Sequence, residues 1–173
     1  MSTLTKFLIF LTILILSGCV SAPRALISDI EPVFVAGGKI SLRTPEGNHT
    51  ANFRWAQYPE SYAVEVWGPL GQGRSQLNGD TKRMVVARGN EVLAEGPPAE
   101  IMAAYLGWVV PIELFPSWLE GSGVDPSAPT IETSGWSVEF SRFEDEEGQV
   151  RPRRLDARKD QQRIVVIVRD FSQ

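Results

Sequence analysis

The sequence predicts a mainly β protein (α+β class), an incomplete antiparallel β-barrel of about ten to eleven strands with a short helical lid over an apolar cavity. Three observations carry this prediction. From Gly38 onward, apolar and polar residues alternate in short runs, which is typical of strands with one buried face. The turns between the runs are too short for parallel crossovers, so neighbouring strands pair antiparallel. Between Gly96 and Gly123 the periodicity changes to that of helices.

Residues 1–18 are predicted to be a lipoprotein signal peptide. The apolar run Phe7–Leu16 follows Lys6 and is too short to span a bilayer. It leads into Leu16-Ser17-Gly18-Cys19, which contains the only cysteine and resembles a bacterial lipobox. The resemblance implies cleavage before Cys19, which then carries S-linked diacylglycerol and an N-linked acyl chain; no other cofactor is predicted. The alternative is an ordinary signal peptide with a chance cysteine.

The mature chain is predicted to form a lipidated tether, residues 19–37, and a single domain, residues 38–173. A turn of helix is predicted around residues 25–30 of the tether. Loss of Lys6 with the signal peptide lowers the net charge from −4 by one, to −5. An acidic domain argues against a nucleic-acid partner, and a cysteine committed to lipid leaves no disulfide. We expect a monomer.

Ten strands are predicted from the alternation and the turns. They lie at Lys39–Arg43, Thr50–Trp55, Tyr62–Val66, Arg74–Asn78, Arg83–Arg88, Glu91–Glu95, Ile131–Thr133, Trp136–Phe143, Arg153–Lys159 and Arg163–Phe171. Arg88-Gly89-Asn90 is a tight turn. The last strand is apolar at every position from Ile164 to Val168, so both of its faces are expected to be covered.

Two helices are predicted between Gly96 and Gly123. Pro98 suits the first turn of a helix that runs to Leu106, with its inner face formed by Ile101, Met102, Tyr105 and Leu106. A second helix is predicted from Ile112 to Leu119, kinked or restarted at Pro116. Together they form the lid over the open face of the sheet.

Enzyme and metal chemistry find little support. His49 is the only histidine and lies at the start of a strand; a triad centred on it is possible in principle but lacks any supporting motif, and a zinc site would need several histidine or cysteine ligands. The acidic run Glu144-Asp145-Glu146-Glu147 lacks the spaced ligands of a calcium loop and is predicted to be a solvated hairpin end. We therefore predict a non-enzyme without a bound metal, with His49 as a surface residue.

The glycine-rich segment Gly68–Gly73 is not a phosphate loop, because a strand follows where a helix should begin. Pro69 and Gly71 instead fit the second and fourth positions of a β-turn. This places Leu70 at the tip of a hairpin. Sequence alone leaves two readings open, a single exposed leucine without function or a membrane contact.

The basic cluster near the C-terminus also has two interpretations. It comprises Arg151, Arg153, Arg154, Arg158 and Lys159. These side chains could contact anionic lipid headgroups. The preferred interpretation is that they pair across strands with the acidic run Glu144–Glu147.

Aromatic residues are more numerous than a small sheet needs to seal itself. Either they form a filled core, or they line an apolar cavity below the lid, and composition does not decide between the two. The residues predicted to line such a cavity are Phe53, Trp55, Val64, Val66, Met102, Leu106, Trp108, Trp118, Trp136, Val138 and Phe140.

From about Gly38 to the C-terminus the chain resembles the LolB family of outer-membrane lipoprotein receptors. The resemblance rests on the order and spacing of six segments behind a lipobox. They are Ala51-Asn52-Phe53-Arg54-Trp55, Gly68-Pro69-Leu70-Gly71-Gln72-Gly73, Leu106-Gly107-Trp108-Val109-Val110-Pro111, Trp118-Leu119-Glu120-Gly121, Gly135-Trp136 and Pro152-Arg153-Arg154-Leu155. The chain departs from the family in having few residues for an N-terminal helix, and in placing Trp67 beside Gly68.

The resemblance implies an incomplete barrel with helices closing an apolar cavity. It implies that the protein takes acylated lipoproteins from a soluble periplasmic LolA-like carrier and inserts them into the outer membrane, with outer-membrane lipids as a further partner. Leu70, with Pro69 and Gly71, matches the family's membrane-insertion loop. Val20 after the lipidated cysteine fits anchoring in the outer membrane, facing the periplasm. The alternatives are a lipid-anchored, lipocalin-like binder of a small apolar ligand and a structural envelope lipoprotein.

Overall fold

The structure, a computed structural model, describes residues 30–146 and 148–173. The described residues form ten strands in one antiparallel, unclosed sheet, which confirms the predicted number and pairing direction of the strands. Their order, β6-β5-β4-β3-β2-β1-β10-β9-β8-β7, was not predicted. The strands are β1 Phe34–Thr44, β2 Gly47–Gln57, β3 Tyr62–Trp67, β4 Ser75–Gly79, β5 Met84–Arg88, β6 Glu91–Gly96, β7 Thr130–Thr133, β8 Trp136–Glu146, β9 Gln149–Lys159 and β10 Gln162–Ser172. The predicted signal peptide and Cys19 lie outside the described residues.

Two short helices connect β6 to β7. Helix α1 spans Pro98–Leu106 and begins with the predicted proline, while α2 spans Phe115–Glu120. The second helix begins at Phe115 and not at Ile112, and Pro116 lies in its first turn, so the predicted restart at this proline is confirmed and the alternative of a kink is wrong. Tyr105 was also predicted wrongly: its side chain is 49% exposed and its hydroxyl donates to the Leu93 carbonyl at 3.0 Å. No helix in the described ranges is long and apolar enough to cross a membrane.

The first strand begins earlier than predicted. Phe34 and Ala36 are buried on the inner face, so residues assigned to the tether are part of the sheet. The alternation is hidden in the sequence by Gly37-Gly38, where the pairing of β1 with β10 shifts register. A Cβ on Gly38 would lie 1.9 Å from the Ile167 carbonyl oxygen. The glycine is therefore required by the close approach of two strands.

Gly38→Ala is expected to lower the free energy of unfolding by about 2–3 kcal/mol, because a main-chain oxygen cannot yield as a side chain can. Gly37→Ala is the matched control, since the one tight approach of its Cβ would be to the end of the Asp170 side chain, at 3.3 Å, and the nearest main-chain atom, the Phe53 carbonyl oxygen, lies at an ordinary 3.8 Å. Urea denaturation compares the two variants. Equal midpoints for both would contradict the steric argument.

The outer face of β10 also differs from the prediction. Ile164, Val166 and Val168 are buried on the inner face, but Val165 and Ile167 on the outer face are only half-buried. In the register of the sheet, Ile167 lies between Lys39 of β1 and Arg154 of β9. Long basic side chains can cover apolar surface with their methylene stems. The apolar run therefore does not require a second covering layer.

The sheet has two distinct ends. Because every neighbouring pair is antiparallel, all odd-numbered strands run in one direction. The end at which β1 begins is called here the proximal end, and the opposite end is the distal end. The turns that follow β1, β3, β5, β7 and β9 therefore all lie at the distal end.

Candidate functional site

The loop from Gly68 to Arg74, between β3 and β4, presents Leu70 at the distal end. The leucine side chain is 92% exposed. The predicted turn is formed, because the Gly71 amide donates to the Gly68 carbonyl at 2.9 Å. Leu70 is therefore held at the tip of an ordered turn with its side chain in solvent.

Gln72 organises the main chain of this loop. Its carbonyl oxygen accepts from the Gly68 amide at 2.8 Å, and its side-chain Oε1 accepts from the Leu70 amide at 3.1 Å. Asn52 Nδ2 donates to the Gly68 carbonyl at 3.2 Å. The amides of the turn thus have partners inside the protein, which lowers the cost of removing the loop from water.

Trp67 lies at the base of the same loop, on the outer face of the sheet. The Arg74 guanidinium lies over its ring at 4.4 Å from the centroid and pairs with Glu65 at 2.5 Å. An indole beside a cation is typical of residues at a membrane–water boundary. Trp67, which departs from the family pattern, therefore lies at the base of the loop that carries the exposed Leu70.

The residues predicted to line an apolar cavity all lie in one hydrophobic cluster inside the curved sheet. Leu106, the last residue of α1, and Trp108, on the connection that follows, are half-buried. The other nine are buried: Phe53, Trp55, Val64, Val66, Met102, Trp118, Trp136, Val138 and Phe140. The sheet supplies seven of these nine, because they occupy alternate positions of β2, β3 and β8.

A continuous row of aromatic rings fills the centre of this cluster. The rings in contact are Tyr62, Trp55, Phe115, Trp118 and Trp136, with centroid separations between 5.2 and 5.8 Å. The third and fourth rings of this row, Phe115 and Trp118, belong to α2, so this helix bridges β2 and β8. The Trp118 indole nitrogen is buried and has no hydrogen-bond acceptor among the described residues.

Open space lies at the distal end, on both sides of the connection between the helices. The larger cleft has a volume of about 640 Å³ and the smaller about 300 Å³. Of the predicted lining residues, Trp136 borders the larger cleft and Trp108 the smaller one. The other walls of the larger cleft come from Ala99, the segment 109–114 and the turns after β1, β7 and β9, and those of the smaller cleft come from β1 and β2. The apolar interior therefore opens at the end that carries Leu70.

His49 borders the smaller cleft. It is half-buried, rather than a surface residue as predicted, because it shares the inner face of β2 with Ala51 and Phe53. Its ring also faces the lid: a Cβ added to Gly107 would lie 3.8 Å from His49 Cε1. Among the described residues, no group of histidine, cysteine or acidic side chains could hold a metal ion.

The basic cluster divides among several surroundings. Arg151 donates to the Gln173 side chain at 2.7 Å and lies over the Phe171 ring, and Lys159 donates to the Ser134 carbonyl at 3.0 Å. Arg153 pairs with Glu144 at 2.9 Å, which confirms one of the predicted cross-strand pairs. Arg154 and Arg158 instead turn toward Asp156, at 3.5 and 3.1 Å, on the outer face of β9. Sequence reasoning missed Asp156, although its position between the two arginines on one strand face is visible in the alternation.

Asp156 is the buried centre of this outer cluster, with a relative exposure of 6%. Arg163 of β10 donates to it from Nε at 2.9 Å and from a terminal nitrogen at 2.5 Å. These hydrogen bonds hold the pKa of the Asp156 carboxyl below its ordinary value; burial opposes them, and the charges of Arg158 and Arg163 add to them. The carboxylate therefore stays ionised and keeps the arginines in place.

An unclosed antiparallel sheet with a helical cover over an apolar interior defines the class of fold, a half-barrel. The fold is similar to that of the crystal structure of a LolA superfamily protein from Nitrosomonas europaea, with a TM-score of 0.50, 9% identity, and coverage of 84% of this chain and 87% of that chain. At this identity the similarity concerns the fold alone.

The chain belongs to the LolB family. The family model described as outer membrane lipoprotein LolB matches residues 33–170. An outer-membrane lipoprotein LolB from Chromohalobacter salexigens is 30% identical over 129 residues, which cover 68% of this chain and 60% of that protein's length. Another from Alkalilimnicola ehrlichii is 28% identical over 153 residues, covering 79% and 75%. A third from a Marinomonas species is 25% identical over 148 residues, covering 78% and 77%.

Proposed function

We propose that this protein is an outer-membrane receptor in lipoprotein localisation. It accepts acylated lipoproteins from a soluble carrier in its apolar interior and delivers them to the membrane in which it is anchored through Cys19. Membership of the LolB family supports this role, and so does the arrangement of the site.

The observation that carries the proposal is that the clefts and the Leu70 loop share the distal end. A cargo leaving through a cleft at this end emerges beside the side chain that contacts the bilayer. The acyl chains then need not cross the outer surface of the protein.

The proposed transfer keeps the acyl chains out of water. Each buried methylene contributes about 0.8 kcal/mol, so one long chain exposed to water costs on the order of 10 kcal/mol. Passage from one apolar interior to another avoids that cost. A difference in affinity of about 1.4 kcal/mol then gives a tenfold preference for the receiving side. Transfer can therefore proceed downhill without nucleotide.

The aromatic row implies that cargo entry requires movement of α2. Phe115 and Trp118 occupy the space between β2 and β8 in which an acyl chain would lie. The helix is short and ends at Gly121, whose φ of 69° is left-handed. An acyl chain would replace contacts among rings with contacts of similar apolar character, which makes the exchange nearly neutral in hydrophobic free energy.

The test is transfer from a loaded carrier. Protein lacking Cys19 is mixed with a carrier bound to a triacylated lipoprotein, and the cargo is followed by pull-down. We expect cargo on this protein without added nucleotide. A folded protein that receives no cargo, but binds a free fatty acid, would overturn the receptor function and favour the small-ligand binder.

Gln72→Ala is expected to weaken binding of the lipid-free protein to vesicles by about tenfold, because the Leu70 amide then enters the membrane without an acceptor, a cost of about 1–3 kcal/mol. The control is Gln76→Ala, in the neighbouring strand β4, where the side chain is half-buried. Co-sedimentation with phospholipid vesicles measures the effect. Equal binding by the two variants would contradict the role assigned to Gln72.

A further inference from the structure

A row of three arginines crosses the outer face of the sheet near the distal end. Arg43 of β1 pairs in register with Arg163 of β10, which pairs with Arg158 of β9. Side chains at such positions have Cβ atoms about 4.5–5.5 Å apart, and like charges placed directly opposite each other destabilise a sheet. Such a row is therefore unfavourable for folding by itself.

The two carboxylates beside this row do not balance its surroundings. Asp156 pairs with Arg154, Arg158 and Arg163, and Glu139 is the register partner of Asp156 on β8. The positive side chains on this part of the face are Lys39, Arg43, Arg154, Arg158 and Arg163. A third acid, Glu132 of β7, lies further along the same row as the register partner of Ser137, which itself pairs with Arg158. Five cations therefore face three acids on this part of the face, in a protein whose net charge is −4. The outer face thus carries a local excess of positive charge.

The arginine row also borders the larger cleft. Arg163 follows Gln162, Arg158 precedes Lys159, and Arg43 lies two positions before Pro45. Gln162, Lys159 and Pro45 all line that cleft. A macromolecule that presents cargo to the cleft therefore brings its own rim close to the three guanidinium groups.

We propose that the arginine row is a docking surface for an acidic rim on the soluble carrier. This inference rests on the proposed receptor function. Guanidinium groups recognise carboxylates through paired, directional hydrogen bonds. Asp156 holds Arg158 and Arg163 in position in advance, so less side-chain entropy is lost on docking.

The direction of the arginine side chains favours a protein partner over the membrane. Side chains on a sheet face stand roughly perpendicular to it. The row therefore points away from the barrel, whereas the Leu70 loop extends beyond the strand ends, in the direction of the strands. With the loop in the bilayer, the arginines face sideways along the membrane surface, where a soluble carrier approaches.

The test uses Arg43→Glu, because Arg43 is exposed and its described polar contact is a single hydrogen bond to Asn48. The control is Arg169→Glu, an identical charge change at an exposed position near the proximal end of β10. The rate of association with the soluble carrier purified from the same bacterium is measured for both variants at low and high salt. Cargo binding is measured separately with an acylated peptide in the absence of carrier.

We expect Arg43→Glu to slow association about five- to tenfold at low salt, with the difference vanishing near 1 M salt, where the Debye length is about 3 Å. Arg169→Glu should associate at the wild-type rate. An unchanged rate for Arg43→Glu, or equal slowing by both variants, would overturn the docking surface. So would a defect confined to vesicles of phosphatidylethanolamine with phosphatidylglycerol, which would assign the row to the membrane.

The two proposals fail in different ways in this experiment. If the wild-type protein associates with the carrier through Arg43 but binds no acylated peptide, the receptor function is overturned and the docking surface stands. If the peptide binds normally and association is insensitive to Arg43→Glu, the docking surface is overturned and the receptor function stands.

Discussion

Leu70→Glu is expected to reduce delivery of cargo into vesicles by at least tenfold while acceptance of cargo from the carrier stays normal. The leucine is 92% exposed, so its replacement disturbs no packing. A leucine side chain gains about 1.5–3 kcal/mol on leaving water, and a factor of ten corresponds to 1.4 kcal/mol. A charged glutamate loses that gain and opposes insertion. The measurement is the fraction of a labelled lipoprotein recovered with vesicles after transfer from the carrier.

Two variants make this result specific to the loop. Leu70→Met keeps an apolar side chain of similar size and should deliver normally. Val92→Glu introduces the same charge at another exposed apolar position, 55% exposed on β6, and should also deliver normally. Normal delivery by Leu70→Glu would show that the loop does not enter the bilayer. Loss of delivery by Val92→Glu as well would assign the effect to charge alone.

Much of the sheet could be predicted because alternation is a local property. Strands β2, β3, β5, β8, β9 and β10 each carry at least two buried apolar residues on the inner face and can be recognised without their neighbours. The start of β1 could not be recognised in this way, because Gly37-Gly38 interrupts the pattern where β10 approaches closely. The requirement for glycine there comes from another strand, more than a hundred positions further along the chain.

The candidate site also has features that a single strand reveals and features that depend on contacts between elements. Alternation places Phe53, Trp55 and Phe140 on the inner face, and the structure agrees. Whether the space between them is filled depends on α2 and its Phe115, one of the aromatic residues for which the sequence left a filled core and a cavity lining both open. The arginine row is likewise a property of register, because its three members belong to three different strands. Contacts across strands and helices are what the sequence alone leaves open.

Phe115→Ala is expected to lower the free energy of unfolding by about 3–5 kcal/mol and to increase the affinity for an acyl-chain probe. Phe115 is 3% exposed and contacts Trp55 and Trp118 in the aromatic row. Its removal leaves an apolar void where we propose that cargo binds. A void lined by apolar side chains stays dry and accepts apolar ligands. Unfolding in urea and titration with a fluorescent fatty acid measure the two effects.

Phe34→Ala separates this effect from a general loss of packing. Phe34 is equally large, 1% exposed, and stacks on Phe171 at 5.2 Å near the proximal end, outside the aromatic row. Both variants should lose similar stability, but only Phe115→Ala should bind the probe more tightly. If Phe34→Ala gains affinity to the same extent, the probe is filling any available void. If neither gains affinity, the space occupied by Phe115 is not the acyl site, and cargo must lie instead in the clefts at the distal end. The opposite signs of the stability and binding effects in Phe115→Ala follow from one physical cause, because in the resting protein the aromatic side chains of the lid occupy the space that the cargo needs.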